Sequence, residues 1–294
     1  MPGGARRRLL GWFSRHPRLQ LLALLVPPAG WFGLVYYGSL ALLLVSAFWT
    51  LDPTTHQVLH QFSLANLQKL VTESVYPTIA LRTTVIAAIV TVADAVIAFP
   101  IAFYMARVAS PRTRAALAVA VLLPLWASYL VRVYAWRVIL SDSGLVDWAF
   151  AQLGIANVGS LFGISDLSMT IVFIYLWLPY MILPIFAGLE RIPASYLEAS
   201  ADLGGRPWTT FRRIILPLAI PALAAGSIFT FSLTLGDYIT PSLVSNSQFI
   251  GNVIVGELGV AGDIPFAAAF AMVPIAIMAV YLLTVRRLGA FEAL

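Results

Sequence analysis

The sequence predicts an all-α, polytopic membrane protein with six membrane-spanning helices. Hydrophobic residues make up 60% of the chain and charged residues only 11%, whereas about a quarter of the residues in a soluble protein are charged. Two uncharged runs, 167–189 and 214–236, are each 23 residues long. A helix of that length crosses a hydrocarbon core of about 30 Å. Together these observations favour a bundle of membrane helices over a soluble fold.

The charge-poor stretches define the individual spans. They lie at roughly 30–50, 80–106, 115–136, 168–189, 214–236 and 264–285. The uncharged stretch 19–51 is too long for a cleaved signal sequence, and Pro27 and Pro28 are expected to split it. Residues 1–29 are therefore predicted to be a cytoplasmic and interfacial segment, and 30–294 to be the transmembrane domain. A small amphipathic helix is expected over 62–67, and a long loop over 137–167.

Basic residues are concentrated in alternate loops. Fourteen of the 18 precede the first span, lie in the second–third or fourth–fifth connections, or follow the last span. Because cytoplasmic loops are enriched in Lys and Arg, we expect both termini and the loop 190–213 to be cytoplasmic. The opposite side carries acidic residues, which either attract cations or simply remain where basic residues are excluded: Asp52, Glu73, Asp142, Asp147, Asp166, Asp237, Glu257 and Asp263.

Several chemistries are excluded by residue types that the chain lacks. It has no cysteine, which rules out disulfides, thiolate metal sites and thiol nucleophiles. Its three histidines, His16, His56 and His60, lie outside the spans, and no metal-binding or catalytic set accompanies them. The phosphate-binding pattern Gly-x-x-x-x-Gly-Lys-Ser/Thr is also absent. The charge distribution follows the spans, so the net charge of +5 does not indicate nucleic-acid binding. We expect no enzymatic activity and no bound cofactor.

The loop between the fourth and fifth spans has the local chemistry of a helix, a break and a second helix. Ser195 and Glu198 have the spacing of a capping box. Gly204 and Gly205 supply a residue that ends a helix at positive φ, and Pro207 suits the first position of the next helix. This pattern predicts either a docking surface for a soluble partner or an amphipathic linker on the membrane surface.

The same loop carries a recognisable motif that continues into the fifth span. The pattern is Glu-Ala-small, three residues, Gly, nine residues, Ile-x-Leu-Pro, and it resembles the EAA motif of ABC-importer permeases. Ser200 stands where that family usually has a second alanine. The resemblance implies a coupling helix that sits in a groove of a cytoplasmic ATPase, and it assigns this role to Glu198, Ala199, Ser200, Gly204, Ile214, Leu216 and Pro217.

A carboxylate lies in the middle of the second predicted span. Asp94 at bilayer depth costs about 2.5–3.5 kcal/mol on insertion scales, so it is expected to face a cavity or a partner. It either contacts a cation or locks two helices together, or it is protonated or hydrogen-bonded within the bundle.

The fifth span ends in a short segment that combines an acid, an aromatic ring and helix breakers. Gly236 and Pro241 are expected to interrupt the helix, which is tolerated at membrane depth only within protein or beside water. Asp237 and the adjacent Tyr238 together suit an alkylammonium group through ion pairing and a cation–π contact. The alternative is a capped helix end with a tyrosine at the lipid interface.

An aromatic-rich run occupies 124–136 in the third predicted span. Spacing of three or four residues links Trp126 with Tyr129 on one helix face, and Tyr134 and Trp136 follow. Such a stripe either lines a substrate path or serves for packing and interface anchoring.

The aromatic run and the segment 236–244 also resemble the spermidine/putrescine branch of the EAA family, and the similarity extends from the first span to Arg287. It implies the type I ABC-importer permease (MetI-like) fold in a bacterial inner membrane. It also implies a second permease, two ATPase subunits that bind ATP and Mg, an external binding protein, and polyamine contact at Asp237. Another small amine, an opine or an aminophosphonate remains open as cargo. A gradient-driven secondary transporter and a purely structural membrane subunit also remain open.

Overall fold

The structure is a computed structural model that describes residues 17–52, 54–155 and 159–287. Within these ranges five helices are long and apolar enough to cross a membrane, and one bent helix pair is a sixth candidate. In chain order we name them span 1 (Gln20–Ser46), span 2 (Val75–Val108), span 3 (Pro111–Trp126 and Tyr129–Ile139), span 4 (Asp166–Glu190), span 5 (Pro207–Gly236) and span 6 (Ile264–Arg286). The predicted all-α, polytopic architecture is confirmed. Arg6, Arg7, Arg8 and Arg15 lie outside the described residues.

Shorter elements connect the spans. The helices are Ala65–Thr72, Leu145–Gln152, Gly159–Phe162, Ala194–Asp202, Ile239–Val244 and Ile250–Gly256. Turns of 3-10 or π helix occur at Phe32–Tyr37, Tyr104–Val108, Leu123–Trp126, Phe211–Ile215 and Glu257–Ala261. Strands Thr50–Leu51 and Val58–Leu59 pair antiparallel, with Thr50 opposite Leu59. The helix predicted over 62–67 therefore forms, but it begins at Ala65 and continues to Thr72.

Spans 2, 4 and 5 pack against one another and form the centre of the bundle. Met105, Met181 and Ile185 are fully buried in their contact. Gly226 on span 5 lies directly against Met181, and a Cβ there would come within 2.7 Å of the Met181 sulfur. Small residues at such positions let membrane helices approach closely. Span 6 packs beside this centre through Phe266 and Phe270.

Span 1 differs from its predicted form. The helix runs through Pro27 and Pro28 without a break and ends at Ser46, so the apolar span begins before residue 30. Prolines are tolerated within membrane helices because local π or 3-10 turns re-satisfy the freed backbone groups. A π-helical turn at Phe32–Tyr37 lies just beyond the two prolines.

Span 3 is broken, which the sequence did not predict. Its two helices meet at 95°, because Ala127 and Ser128 adopt extended backbone conformations with ψ of 143° and 139°. Trp126 therefore ends one helix and Tyr129 begins the next. The predicted shared face of these two residues is wrong.

Candidate functional site

The loop 190–213 contains the predicted helix, but the helix has a different start. It spans Ala194–Asp202 and its N-cap is Pro193, which has extended ψ and makes no side-chain cap hydrogen bond. Ser195 is thus the second residue of the helix rather than its cap, and the predicted capping box is wrong. The proline sets the boundary because its own ring and the extended ψ stop the helix from extending backwards.

The helix ends in a Schellman turn, as the glycine pair predicts. Gly204 has φ of 73°; its N–H bonds the Ala201 carbonyl at 2.9 Å and the N–H of Gly205 bonds the Ser200 carbonyl at 2.7 Å. This is the hydrogen-bond pattern of that motif. The hydroxyls of Ser200 and Thr210 lie 2.7 Å apart across the turn. Pro207 begins the next helix, which confirms that part of the prediction.

Some of the motif residues lie together on one groove, which joins the helix of the loop to the start of span 5. A groove of about 640 Å³ lies between the helix Ala194–Asp202 and the start of span 5. Four motif residues line it: Ala199, Ser200, Ile214 and Pro217. Glu198, Ala199, Gly204 and Pro217 are exposed, Ile214 and Leu216 are half-buried, and Ser200 is buried.

Two arginines, one at the end of span 2 and one at the start of span 3, bind the end of span 4 at this end of the bundle, which we call the loop end. Arg107 donates to the carbonyls of Leu189 at 2.5 Å and Ile192 at 2.6 Å, where span 4 ends. Arg114 forms an ion pair with Glu190 at 2.9 Å and donates to the Met105 carbonyl at 2.9 Å. These contacts connect the ends of spans 2 and 4, where a helix leaves its last carbonyls without intrahelical partners. Sequence reasoning used these arginines only as orientation markers.

At the opposite end of the bundle, the pocket end, span 5 stops at Gly236 and Asp237 begins a turn. The Asp237 carboxylate accepts hydrogen bonds from the Tyr129 hydroxyl, from the Thr240 hydroxyl at 2.8 Å and from the Ile239 N–H at 2.8 Å. The side chain is 9% exposed. The predicted break at Gly236 is confirmed. Pro241 is not a break, because it lies inside the short helix Ile239–Val244.

A pocket of about 330 Å³ opens beside this carboxylate. We call it the Asp237 pocket, and its lining residues are Tyr129, Trp177, Ser232, Leu233, Gly236, Asp237 and Tyr238. Tyr129 and Trp177 stack with ring centres 5.8 Å apart and planes 13° apart. The pocket thus joins spans 3, 4 and 5. Trp177 was missed by sequence reasoning, since a tryptophan inside an apolar run shows no partner in the sequence.

The remaining predicted substrate-path residues lie elsewhere. Asp94 is fully buried, and its two carboxylate oxygens have no hydrogen-bond partner among the described residues. Trp126 is 90% exposed. Trp136 packs against Tyr175 at 5.1 Å, and Tyr134 is half exposed. None of these four residues lines the Asp237 pocket.

Several acidic residues at the pocket end serve local structure. Asp52 accepts from Thr54, and these hydrogen bonds lower the pKa of Asp52 to about 2. Asp147 accepts from the N–H of Gly159 at 2.8 Å. Asp166 accepts from Ser245 at 2.5 Å and from Ser247 at 3.1 Å. Asp263 caps span 6. None of these four carboxylates lines the pocket, whereas Asp237 does.

Comparison with known proteins identifies the family. Residues 98–291 match the model of the "Binding-protein-dependent transport system inner membrane component" family. The chain is 48% identical to the inner membrane ABC transporter permease protein YdcU of Escherichia coli K12, and the match covers 98% of this chain and 95% of that protein. It is 28% identical to the spermidine/putrescine transport system permease protein PotB of the same organism, with 88% and 94% covered.

The fold is also found in solved structures. A bacterial ABC transporter involved in the import of the acidic polysaccharide alginate contains a chain with a TM-score of 0.73 and 18% identity, covering 96% of this chain and 98% of that one. A bacterial alginate ABC transporter in complex with an alginate pentasaccharide-bound periplasmic protein contains a chain with a TM-score of 0.74 and 17% identity, covering 97% of this chain and 98% of that one. The chain belongs to the binding-protein-dependent transport system inner membrane components, and it is a multi-pass permease subunit of an ABC importer.

Proposed function

We propose that this permease imports polyamines of the spermidine and putrescine type. In this proposal it forms half of a translocation pore with a second permease, receives cargo from an external binding protein, and is driven by two cytoplasmic ATPase subunits that bind ATP and Mg. Support for the cargo class comes from the sequence similarity to the spermidine/putrescine permease PotB. The same machine importing another small amine, an opine or an aminophosphonate is the alternative.

The observation that carries the cargo proposal is the Asp237 pocket. Its carboxylate is flanked by Tyr129, Trp177 and Tyr238, and the described lining includes no basic side chain. A carboxylate beside aromatic faces binds an alkylammonium group by charge and by cation–π attraction. Of the predicted substrate-path residues, Asp237, Tyr238 and Tyr129 are the ones for which the geometry supports this role.

The coupling proposal is supported by a mechanical connection. Span 5 is one helix of 30 residues from Pro207 to Gly236, about 45 Å long at 1.5 Å per residue. One end adjoins the groove with the EAA-type motif, and the other end adjoins Asp237. Movement of the exposed helix around Glu198 by a nucleotide-bound ATPase pair would therefore be transmitted through span 5 to the pocket. This proposal requires the loop 190–213 and both termini to be cytoplasmic.

The deciding experiment is uptake of radiolabelled spermidine and putrescine into proteoliposomes. Vesicles with the complete complex and binding protein are compared with vesicles that lack the ATPase subunits. We expect uptake only in the complete complex and only with ATP. Uptake that persists without the ATPase subunits would indicate a secondary transporter. If neither spermidine nor putrescine is taken up in an ATP-dependent way, the polyamine assignment is refuted.

A further inference from the structure

The groove beside the EAA-type motif, which we call the Arg213 groove, changes in polarity along its length. Where span 5 leaves the loop, the lining includes the hydroxyl group of Thr209 and the guanidinium group of Arg213. Further along, where the helix carries no charged residue, span 5 contributes Ile214, Pro217 and Leu218. The groove thus has a polar end and an apolar end, which suits a ligand that is itself amphipathic.

The Arg213 groove lies at the depth of the lipid headgroups. Arg213 is the last charged residue before the uncharged run 214–236. As a helix this run is about 35 Å long, close to the hydrocarbon thickness of about 30 Å, so Arg213 lies at the boundary between hydrocarbon and headgroups. Tyr196, which lines the groove, and Trp208 are both exposed at this end of the bundle. Tyrosine and tryptophan are enriched at that boundary, which agrees with this depth.

The charge of Arg213 is not neutralised by a neighbouring side chain. Among the described residues, the ion pair at this end joins Arg114 and Glu190, and Arg213 makes no hydrogen bond, ion pair or ring contact with any of them. The segments 107–114 and 190–213 together contain seven arginines and three acidic residues. An excess of one charge attracts ligands of the opposite charge, and a guanidinium group binds phosphate through two parallel N–H donors. The ligand that matches this end of the groove is therefore an anion.

A second groove at the loop end lacks this combination. It measures about 810 Å³ and lies between span 2 and the start of span 5, and its described lining includes no charged side chain. Aromatic rings dominate it, and those of Phe99 and Phe211 meet edge-on at 5.6 Å. Gly205 lines both grooves, so the two flank the same turn of the chain. Of these two grooves, only the Arg213 groove matches an anionic amphiphile.

We infer that the Arg213 groove binds an anionic phospholipid, with the lipid phosphate at Arg213 and an acyl chain on the apolar lining that span 5 contributes. The opposite wall of the groove is the helix Ala194–Asp202. A lipid in this position would contact both the helix that carries the EAA-type motif and span 5, and would hold them together. The inference goes beyond the proposed function, because the lipid is a ligand distinct from the cargo and would bind whichever cargo is imported.

The test measures lipid binding to the purified, delipidated transporter complex by native mass spectrometry. The probes are phosphatidylglycerol and phosphatidylcholine with identical acyl chains, and glycerol 3-phosphate, which has the phosphate without the chains. Arg213→Gln removes the charge, and Arg213→Lys retains it. Arg212→Gln is the matched control, because Arg212 is the adjacent arginine, is also exposed and lines neither groove. Since other subunits also bind lipid, the decisive quantity is the difference between the Arg213→Gln and Arg212→Gln complexes.

We expect the unmodified complex and Arg212→Gln to bind phosphatidylglycerol more tightly than either other probe. Arg213→Gln should weaken phosphatidylglycerol about tenfold, the usual effect of losing one hydrogen bond to a charged group, and should leave phosphatidylcholine unchanged. Arg213→Lys should retain most of the binding.

Equal effects of Arg213→Gln and Arg212→Gln, or equal binding of the two lipids, would overturn the inference. Glycerol 3-phosphate that binds as tightly as phosphatidylglycerol would also overturn it, because the apolar lining would then contribute nothing. If the permease pair alone binds the lipid and the complex with the ATPase does not, the ATPase occupies the groove and the inference is wrong, while the coupling proposal stands.

Discussion

At the scale of single residues, Asp237 and Asp94 are carboxylates in opposite situations. Asp237 accepts hydrogen bonds from Tyr129, Thr240 and backbone N–H groups, and it adjoins an open pocket. Asp94 is fully buried without a partner among the described residues. The sequence made both residues candidates for the substrate path, and for Asp94 it left a structural role within the bundle open. It could not distinguish their surroundings, because these depend on residues from other spans.

Replacing Asp237 by Asn should lower amine uptake roughly 10- to 100-fold, since a hydrogen bond to a charged group contributes about 1.5–3 kcal/mol. Assembly should be retained because the asparagine oxygen can still accept from Ile239. Uptake and co-purification of the complex measure the two effects. The matched control is Asp263→Asn, an N-cap outside the pocket where Asn caps as well as Asp. Normal uptake by Asp237→Asn would remove Asp237 from the cargo path.

The alternative in which Asp94 contacts a cation on the cargo path can be tested through solvent access. Because the chain has no cysteine, Asp94→Cys provides a unique thiol. In the conformation described, that position is fully buried, and a water-soluble thiol reagent should not modify it. Modification during ATP turnover would place Asp94 on the path. If turnover leaves it unmodified while the complex is active, Asp94 has a purely structural position.

At the scale of elements, the charged residues in the sequence located the ends of some spans well. They did not reveal where the backbone of a span is broken. Spans 4 and 6 begin and end within about two residues of their predicted bounds, because charged residues flank them. The break in span 3 was missed since Ala127 and Ser128 lie inside an uncharged run, and uncharged residues give no sign of a bend. The contact of Trp177 with Tyr129 was also unpredictable, because it joins residues from separate spans.

The Schellman turn gives a prediction with an internal comparison. A Cβ added at Gly204 would have no atom within 4 Å. Gly204→Ala should therefore lower the stability only because alanine disfavours the left-handed backbone, by about 1–2 kcal/mol. In Gly205→Ala the new Cβ would lie within 2.6 Å of the Ser200 carbonyl oxygen. Because this oxygen belongs to the backbone, the backbone of the turn would have to shift. We expect Gly205→Ala to lower the thermal stability of the complex more than Gly204→Ala does. Equal effects on the melting temperature would contradict this description of the turn.

The exposed helix Ala194–Asp202 should bind the ATPase partly through the charge on its surface. We expect Glu198→Lys to weaken ATPase co-purification and to abolish uptake, while capture of cargo by the external binding protein is unchanged. Arg206→Lys is the control, because it retains the charge of another exposed residue in the same loop. Unchanged co-purification and uptake in Glu198→Lys would reject the docking role.

At the scale of the whole molecule, the account requires a definite orientation. Leu203 at the loop end is 89% exposed, and Val260 at the pocket end is 94% exposed. In the cysteine-free chain, Leu203→Cys should be labelled only from the cytoplasm by an impermeant reagent, and Val260→Cys only from outside. The opposite labelling would reverse the topology inferred from the basic residues.

The most direct test of the central claim is a crosslink between the loop 190–213 and the ATPase in the active complex. Leu203→Cys is suitable because it is exposed and lies outside the motif. We predict a Leu203→Cys crosslink to an ATPase subunit, with a yield that changes on ATP binding and falls when Glu198→Lys is added. A transport-competent complex in which this position never crosslinks to the ATPase would contradict the claim that the loop couples ATP hydrolysis to transport.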